Sequence, residues 1–175
     1  MDILKTERLT LRAARVADIA PLCEAVLGDA EVMRHAFAGA AMARADAEGF
    51  IRTRFNFSGG PVGMGTLVET ASGQVIGFAG LNPCDALGAD DVELGFMLAR
   101  AAWGKGFARE IGTAQMELGF RALKRSRVLA LASPDNIGSV AVLTRLGMTA
   151  VRDVMTGERG LRRVFVGYAR HPVAE

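Results

Sequence analysis

VELGFMLARAAWGKGFARE, residues Val92 to Glu110, passes from an apolar run of strand formers through a turn with glycine at 104 and 106 into the opening of a helix. Such a strand-turn-helix presents unbonded backbone N–H groups to whatever lies above the helix, and the helix dipole favours negative charge there. Glycine at two positions of the turn frees the backbone from Cβ crowding. The segment predicts an anion site, and a phosphorylated ligand is the first suspect.

Two familiar phosphate loops can be compared with it position by position. The nucleoside triphosphate loop requires a glycine five places before Gly104 and a Ser or Thr after the lysine, where Ala99 and Gly106 stand. The dinucleotide fingerprint requires a third glycine where Arg109 stands and an acidic residue about 20 positions on, in a region that here holds Lys124, Arg125 and Arg127. The segment fits neither.

Half of the 175 residues are apolar, which suits one domain, 1–175, with an ample core. A formal charge of +2 with Arg, Asp and Glu intermixed gives no basic stripe, so nucleic acid is not the expected ligand. Met1 to Arg12 lacks the apolar core of a signal peptide, and charges interrupt the apolar stretches before about 18 positions. The chain is therefore expected in the cytoplasm, with no membrane partner. Cys23 and Cys84 are far apart, as are His35 and His171, so neither a disulfide scaffold nor a metal site is expected and the thiols read as inert.

Around the decisive segment, alternation from Glu7 to Ala13 predicts an N-terminal strand. Helical spacing after Asp18, and again over Asp46 to Phe57, predicts two helices. Val62 to Glu69 and Gln74 to Leu81 read as strands joined in a hairpin through Ala71-Ser72-Gly73. A loop, Asn82 to Asp90, leads to the strand Asp91 to Leu98. A helix from Gly104 to about Leu123 follows, with Phe107, Ile111, Ala114 and Leu118 as its apolar stripe. Then come a strand, Arg127 to Ala132, a helix capped near Asp135-Asn136 and ending at Gly147, and closing strands over Thr149 to Val154 and Leu161 to Tyr168. The pattern is a mixed α/β layer structure.

Three segments in this order resemble the GNAT superfamily of acetyl-CoA-dependent N-acetyltransferases, and within it the branch of RimJ/RimL-like enzymes. They are Thr6-Glu7-Arg8-Leu9-Thr10-Leu11-Arg12, Glu93-Leu94-Gly95-Phe96 with Trp103-Gly104-Lys105-Gly106-Phe107-Ala108, and Asn136-Ile137-Gly138-Ser139 through Arg145-Leu146-Gly147-Met148. The resemblance implies an α+β fold: a twisted, mostly antiparallel sheet flanked by helices, whose central strands splay apart around acetyl-CoA. It implies transfer of acetyl to a primary amine, either a protein N-terminus or a small amine such as an amino acid, polyamine or aminoglycoside. Family members are often dimers, so a homodimer is admitted, with Val164 and Val166 serving core or interface.

The resemblance places the pyrophosphate on the amides from Trp103 through Arg109 and the pantetheine along the main chain of Phe96, Met97 and Leu98. Asn136 resembles a cofactor-contacting asparagine and is also a good N-cap, its side chain bonding the amide near Ser139. Lys105 and Arg109 oppose the helix dipole, which favours a bound anion as the reason for them. Trp103 is expected to close the core beneath the loop rather than stack on adenine.

Glu93 is the candidate general base, because an alkylammonium must lose a proton before it attacks a thioester; the bland reading is a strand-end carboxylate paired with an arginine. Alternation puts Glu93 on one side of its strand with Gly95, whose missing side chain leaves room for substrate. Ser139 is the candidate proton donor to the CoA thiolate, with first-turn polarity as its plainer role. Where many superfamily members carry a tyrosine in the later helix region, this chain has none; Tyr168 lies on the last strand. A catalytically silent acyl-CoA-binding sensor therefore stays open, and a dinucleotide-binding oxidoreductase is the third reading. Asp85, Asp90 and Asp91 read as a wet loop.

Overall fold

A computed structural model describes residues 1–169; His171 lies outside them. Strands β1 (Asp2–Lys5) and β2 (Leu9–Arg12) form a hairpin. Helix α1 (Ile19–Leu22) continues into a π turn over Cys23–Leu27, and α2 (Ala30–Met33) and α3 (Arg44–Arg54) follow. Strands β3 (Gly63–Glu69), β4 (Val75–Cys84) and β5 (Asp91–Leu98) form a meander. Then come α4 (Phe107–Arg121), β6 (Arg127–Ala132), α5 (Ile137–Arg145), β7 (Thr149–Thr156) and β8 (Gly160–Tyr168).

The eight strands form one sheet in the order β1-β2-β3-β4-β5-β6-β8-β7. Each neighbouring pair is antiparallel except β5 and β6, which α4 connects in parallel and which meet only at Glu93 opposite Leu129. Toward Leu98 the edge of β5 that faces β6 has no partner strand among the described residues, and this is the splay that the resemblance implies.

Alternation along β5 sorts the two faces. Val92, Leu94, Phe96 and Leu98 meet α4 and α5 through clusters that include Phe107, Ile111, Leu143 and Phe165. On the other face Met97 joins Phe78, Ile19, Leu22, Leu27, Met33, Ile51 and Phe55 beneath α1 to α3. Both layers bury their apolar side chains against the sheet, the main stabilising term for such an architecture. Val164 and Val166 are buried in the core. Among the described residues no helix is long and apolar enough to cross a membrane.

Several local expectations are corrected. The expected N-terminal strand is present as β2, and a further edge strand, β1, precedes it, because Asp2-Ile3-Leu4-Lys5 is too short to show periodicity. The region before β3 holds three helices, and α3 ends at Arg54 because Phe55 turns extended to pair beside Met64. Helix α4 begins at Phe107, since Gly104 and Gly106 have φ of +73° and +80°, outside any right-handed helix. Its buried stripe runs Phe107, Ile111, Gln115 and Gly119; Ala114 and Leu118 sit at its flank. Gly119 is there because a Cβ would meet Val128 at 2.7 Å. Gln115 is fully buried, with neither amide atom bonded among the described residues.

Candidate functional site

The turn after β5 is held from both sides. Trp103 Nε1 donates to the carbonyl of Leu98 at 2.8 Å, and Arg8 Nη1 donates to the carbonyl of Lys105 at 2.9 Å. Trp103 is 46% exposed, which corrects the expectation that it closes the core: bonding its N–H to the end of β5 leaves the indole face outward. Arg8 also lies 4.7 Å from the centre of the Phe107 ring and pairs with Glu110 in the first turn of α4.

Between these anchors, the amides of residues 104–109 donate no hydrogen bond to any described protein acceptor. Gly106, the N-cap of α4, has no side chain with which to cap them. Lys105 and Arg109 are exposed beside them, and Lys5 and Arg8 line the adjoining surface depression with Arg109. Six consecutive free amides at a helix N-terminus, ringed by cations, form a strong anion cradle.

The cradle lies at the carboxyl end of β5. Beyond the carboxyl end of the parallel β6, Asn136 caps α5, its Oδ1 accepting from the Ser139 N–H at 3.1 Å as the capping rule predicts. That bond leaves the amide hydrogens of Asn136 for another partner. It also fixes Ser139 in the first turn, with its hydroxyl half-buried and unbonded to any described protein group. The chain turns that follow the two splayed strands thus bring the cradle, Asn136 and Ser139 to one end of the sheet.

Glu93 sits where the splay begins. Its carboxylate is buried on the α1 to α3 face and takes two bonds from Arg159, Nη1 to Oε1 at 2.8 Å and Nη2 to Oε2 at 3.0 Å. Arg159 reaches it from the turn between β7 and β8, whose Glu158 also meets Arg54 of α3 at 3.3 Å. The Glu93 bonds raise the Arg159 pKa above its usual value, against burial. Two residues along β5, Gly95 opens onto free space: a Cβ there would find only the Gly80 carbonyl, at 4.0 Å. The paired arginine was the bland reading of Glu93, and the room at Gly95 was the functional one; both features are present side by side.

Two residues of this face escaped the sequence reading. Arg159 lies in a turn with no local pattern, and Arg162 stands at an inward position of β8, in phase with Val164 and Val166. A charge at an inward strand position was the available signal. Asp91 is a correction of the opposite kind. It is buried and bonded to Arg127 at 2.8 and 2.7 Å, so it braces β5 to β6, while Asp85 and Asp90 remain exposed as a wet loop should. Cys23 and Cys84 are free thiols, each pushed up in pKa by burial. Among the described residues no group of His, Cys, Asp and Glu could hold a metal ion.

Comparison with known proteins agrees with this architecture. Residues 8–149 match the family model described as an acetyltransferase (GNAT) domain. An uncharacterized N-acetyltransferase, p20, from Bacillus licheniformis is 31% identical over 147 residues, covering 83% of this chain and 82% of that protein. A GNAT-family acetyltransferase from Bacillus anthracis superposes with a TM-score of 0.79 at 21% identity, over 94% of this chain and 97% of that one. RimL, a ribosomal L7/L12 α-N-protein acetyltransferase solved with coenzyme A, gives 0.72 at 16% identity, over 96% and 98% of the two chains. Spermidine N-acetyltransferase from Vibrio cholerae, solved with CoA and spermine, gives 0.72 at 15% identity, over 93% and 96%.

Proposed function

The chain belongs to the acetyltransferase (GNAT) family, and on that premise we propose that it is a single catalytic domain that moves acetyl from acetyl-CoA directly to a primary amine. The observation that carries this reading is the run of free amides over residues 104–109 at the open end of β5. The CoA pyrophosphate rests on these amides with Lys105 and Arg109 beside it, and the pantetheine lies along Phe96, Met97 and Leu98 as an added strand on the unpaired edge of β5. Trp103, Gly104, Gly106, Phe107 and Ala108 complete the loop, and Asn136 offers its free amide hydrogens from the opposite side of the splay.

With the thioester held at the start of the splay, the acceptor amine enters over Gly95. Glu93, directly or through a water, removes its proton; the nitrogen attacks the carbonyl carbon, and backbone amides of β5 steady the oxyanion. Collapse of the tetrahedral intermediate expels the CoA thiolate, which takes a proton from the Ser139 hydroxyl or from water. No metal and no covalent enzyme intermediate is needed, and the reaction is placed in the cytoplasm.

The fold is shared by an enzyme for a protein N-terminus and one for a polyamine, so the acceptor must come from this chain's own residues. A second reading, a silent acyl-CoA sensor, is favoured by the absence of tyrosine around α5, Tyr168 being 63% exposed on β8. Labelled acetyl-CoA offered with peptides beginning Ala or Ser, amino acids, polyamines and aminoglycosides tests both readings. Acetylated product establishes the enzyme; tight acetyl-CoA binding with no product across the panel would establish the sensor.

A further inference from the structure

Arg162 is 7% exposed, yet among the described residues it has no carboxylate partner. Its two hydrogen bonds go to backbone carbonyls, Nη1 to Leu161 at 2.8 Å and Nη2 to His35 at a long 3.4 Å. A guanidinium has five donors, and burying its charge without an anion is costly, so such a group is normally paired. Burial first, and then the like charge of Arg159, push its pKa below the usual value against the pull of Glu93, which marks all three as neighbours.

The register puts Arg162 on the acceptor side. Val166 opposes Leu129 and Leu129 opposes Glu93, while Phe165 packs under α5; residues 162, 164 and 166 therefore share the face of Glu93 and Gly95. Glu93 is already held by both nitrogens of Arg159, leaving two guanidinium charges against one carboxylate around this space. The bond to His35 ties Arg162 to the segment after α2, which covers the same face.

Building on the acetyltransferase reading, we propose that Arg162 receives a carboxylate of the acceptor, so that the substrates of this site are primary amines carrying a carboxylate close to the amine. The anion neutralises the buried guanidinium, and the bidentate fork fixes the direction from which the amine approaches the thioester over Gly95. A polyamine, with cations at both ends, brings a like charge to Arg162 and is disfavoured.

Matched acceptors test this with the full-length protein and acetyl-CoA: the L-amino acids, their carboxamides, the descarboxy amines and spermidine, compared at equal concentrations of neutral amine. Amidated peptides with Asp or Glu behind the N-terminus form a separate arm, which distinguishes a side-chain carboxylate from that of a free amino acid. Carboxylate-bearing acceptors are expected to exceed their carboxamides by roughly tenfold or more in kcat/KM. Arg162→Met should abolish that preference through the acceptor KM, bringing amino acids down to the level of their carboxamides while acetyl-CoA still binds, and Arg162→Lys should restore part of it. Wild-type enzyme that uses carboxamides or spermidine as well as amino acids overturns the inference, as does an Arg162→Met variant that loses all acceptors equally while still binding acetyl-CoA.

If no acceptor turns over, the enzyme reading falls separately. Calorimetric titration of the protein–CoA complex with the amino acids and their carboxamides then decides the site. Binding that depends on the carboxylate and on Arg162 supports it; no carboxylate-dependent binding refutes it.

Discussion

The Arg8 guanidinium meets the Glu110 carboxylate across 102 residues of sequence, Nε at 2.7 Å and Nη2 at 2.6 Å from Oε2. The other oxygen, Oε1, accepts from the Arg8 N–H at 2.9 Å and the Thr6 hydroxyl at 2.6 Å. Burial raises the Glu110 pKa, but the bonds from Thr6 and Arg8 outweigh it and hold it below the usual value. A first-turn glutamate often folds back onto the free amides of its own helix. Here both oxygens are engaged by the turn between β1 and β2, so the cradle is left open for a ligand.

The brace should therefore be read in acetyl-CoA affinity. Arg8→Met and Glu110→Gln are each expected to weaken binding by about 1 kcal/mol, roughly fivefold, a modest figure because the arginine is half-exposed. The double variant should lose little more than either single one, since the pair acts as a unit. Additive losses in a titration series would show that the two side chains act separately.

Gly106 caps α4 with φ of +80°, while a Cβ there would meet nothing nearer than Arg8 Nη2 at 3.5 Å. Its requirement is conformational, not one of space. Gly106→Ala should cost about 1 kcal/mol in strain, and the loop can relieve that strain only by turning its amides away from the ligand. Acetyl-CoA affinity should fall further than the melting temperature suggests; equal affinity would mean that the cradle does not hold the pyrophosphate.

How much of this was legible in the sequence follows from the range of the forces involved. The bounds of β5 and β6 are read directly because each is a short apolar run between charged or turn residues. The Asn136 cap is read because the partner is three residues away. The Arg159–Glu93 pair spans 66 residues, and it depends on β8 inserting beside β6 ahead of β7, a strand order that no local pattern encodes. Arg8 lies in the turn before β2, and only the arrival of α4 gives it a partner. Trp103 faces outward because its single N–H bonds the end of β5, a contact that its apolar area does not reveal.

Asp18 gives a test by pH. It is buried and bonded to Arg12 at 2.7 Å through both oxygens, to the Thr66 hydroxyl at 2.8 Å and to the Arg15 N–H at 2.8 Å. Burial raises its pKa, and those bonds more than offset it, so the folded value lies below the ordinary one. A depressed carboxyl contributes stability that is complete above the unfolded value of about 3.9 and disappears as pH falls through the folded value. Asp18→Asn should cost about 3 kcal/mol at pH 7, from the stranded Arg12, and progressively less below pH of about 4. Urea unfolding at pH 7, 5 and 3 measures it, and a constant difference would sink the assignment.

Gly95 separates folding from catalysis. Its φ is not in the left-handed region, and a Cβ there meets no protein atom closer than 4.0 Å. Gly95→Val should therefore leave the fold as stable or stabilise it by about 0.5 kcal/mol, because the unfolded chain loses freedom and Val suits a strand. The same side chain occupies the room proposed for the attacking amine, so kcat/KM should drop by about a hundredfold while acetyl-CoA still binds. Retained turnover would move the acceptor to another part of the face.

Glu93 carries the sharpest demand, because both of its oxygens already accept from Arg159. Each carboxylate oxygen keeps a second lone pair, so the group can take the amine proton only from the side that the Arg159 bonds leave open. Glu93→Gln removes the base and leaves Arg159 beside a neutral amide. Turnover should fall by about 10²-fold or more, with acetyl-CoA affinity intact. Arg159→Met should lower turnover less than Glu93→Gln does, since it removes the partner of the carboxylate and leaves the carboxylate itself in place. A kcat that Glu93→Gln leaves unchanged would falsify the base role and leave proton removal to water.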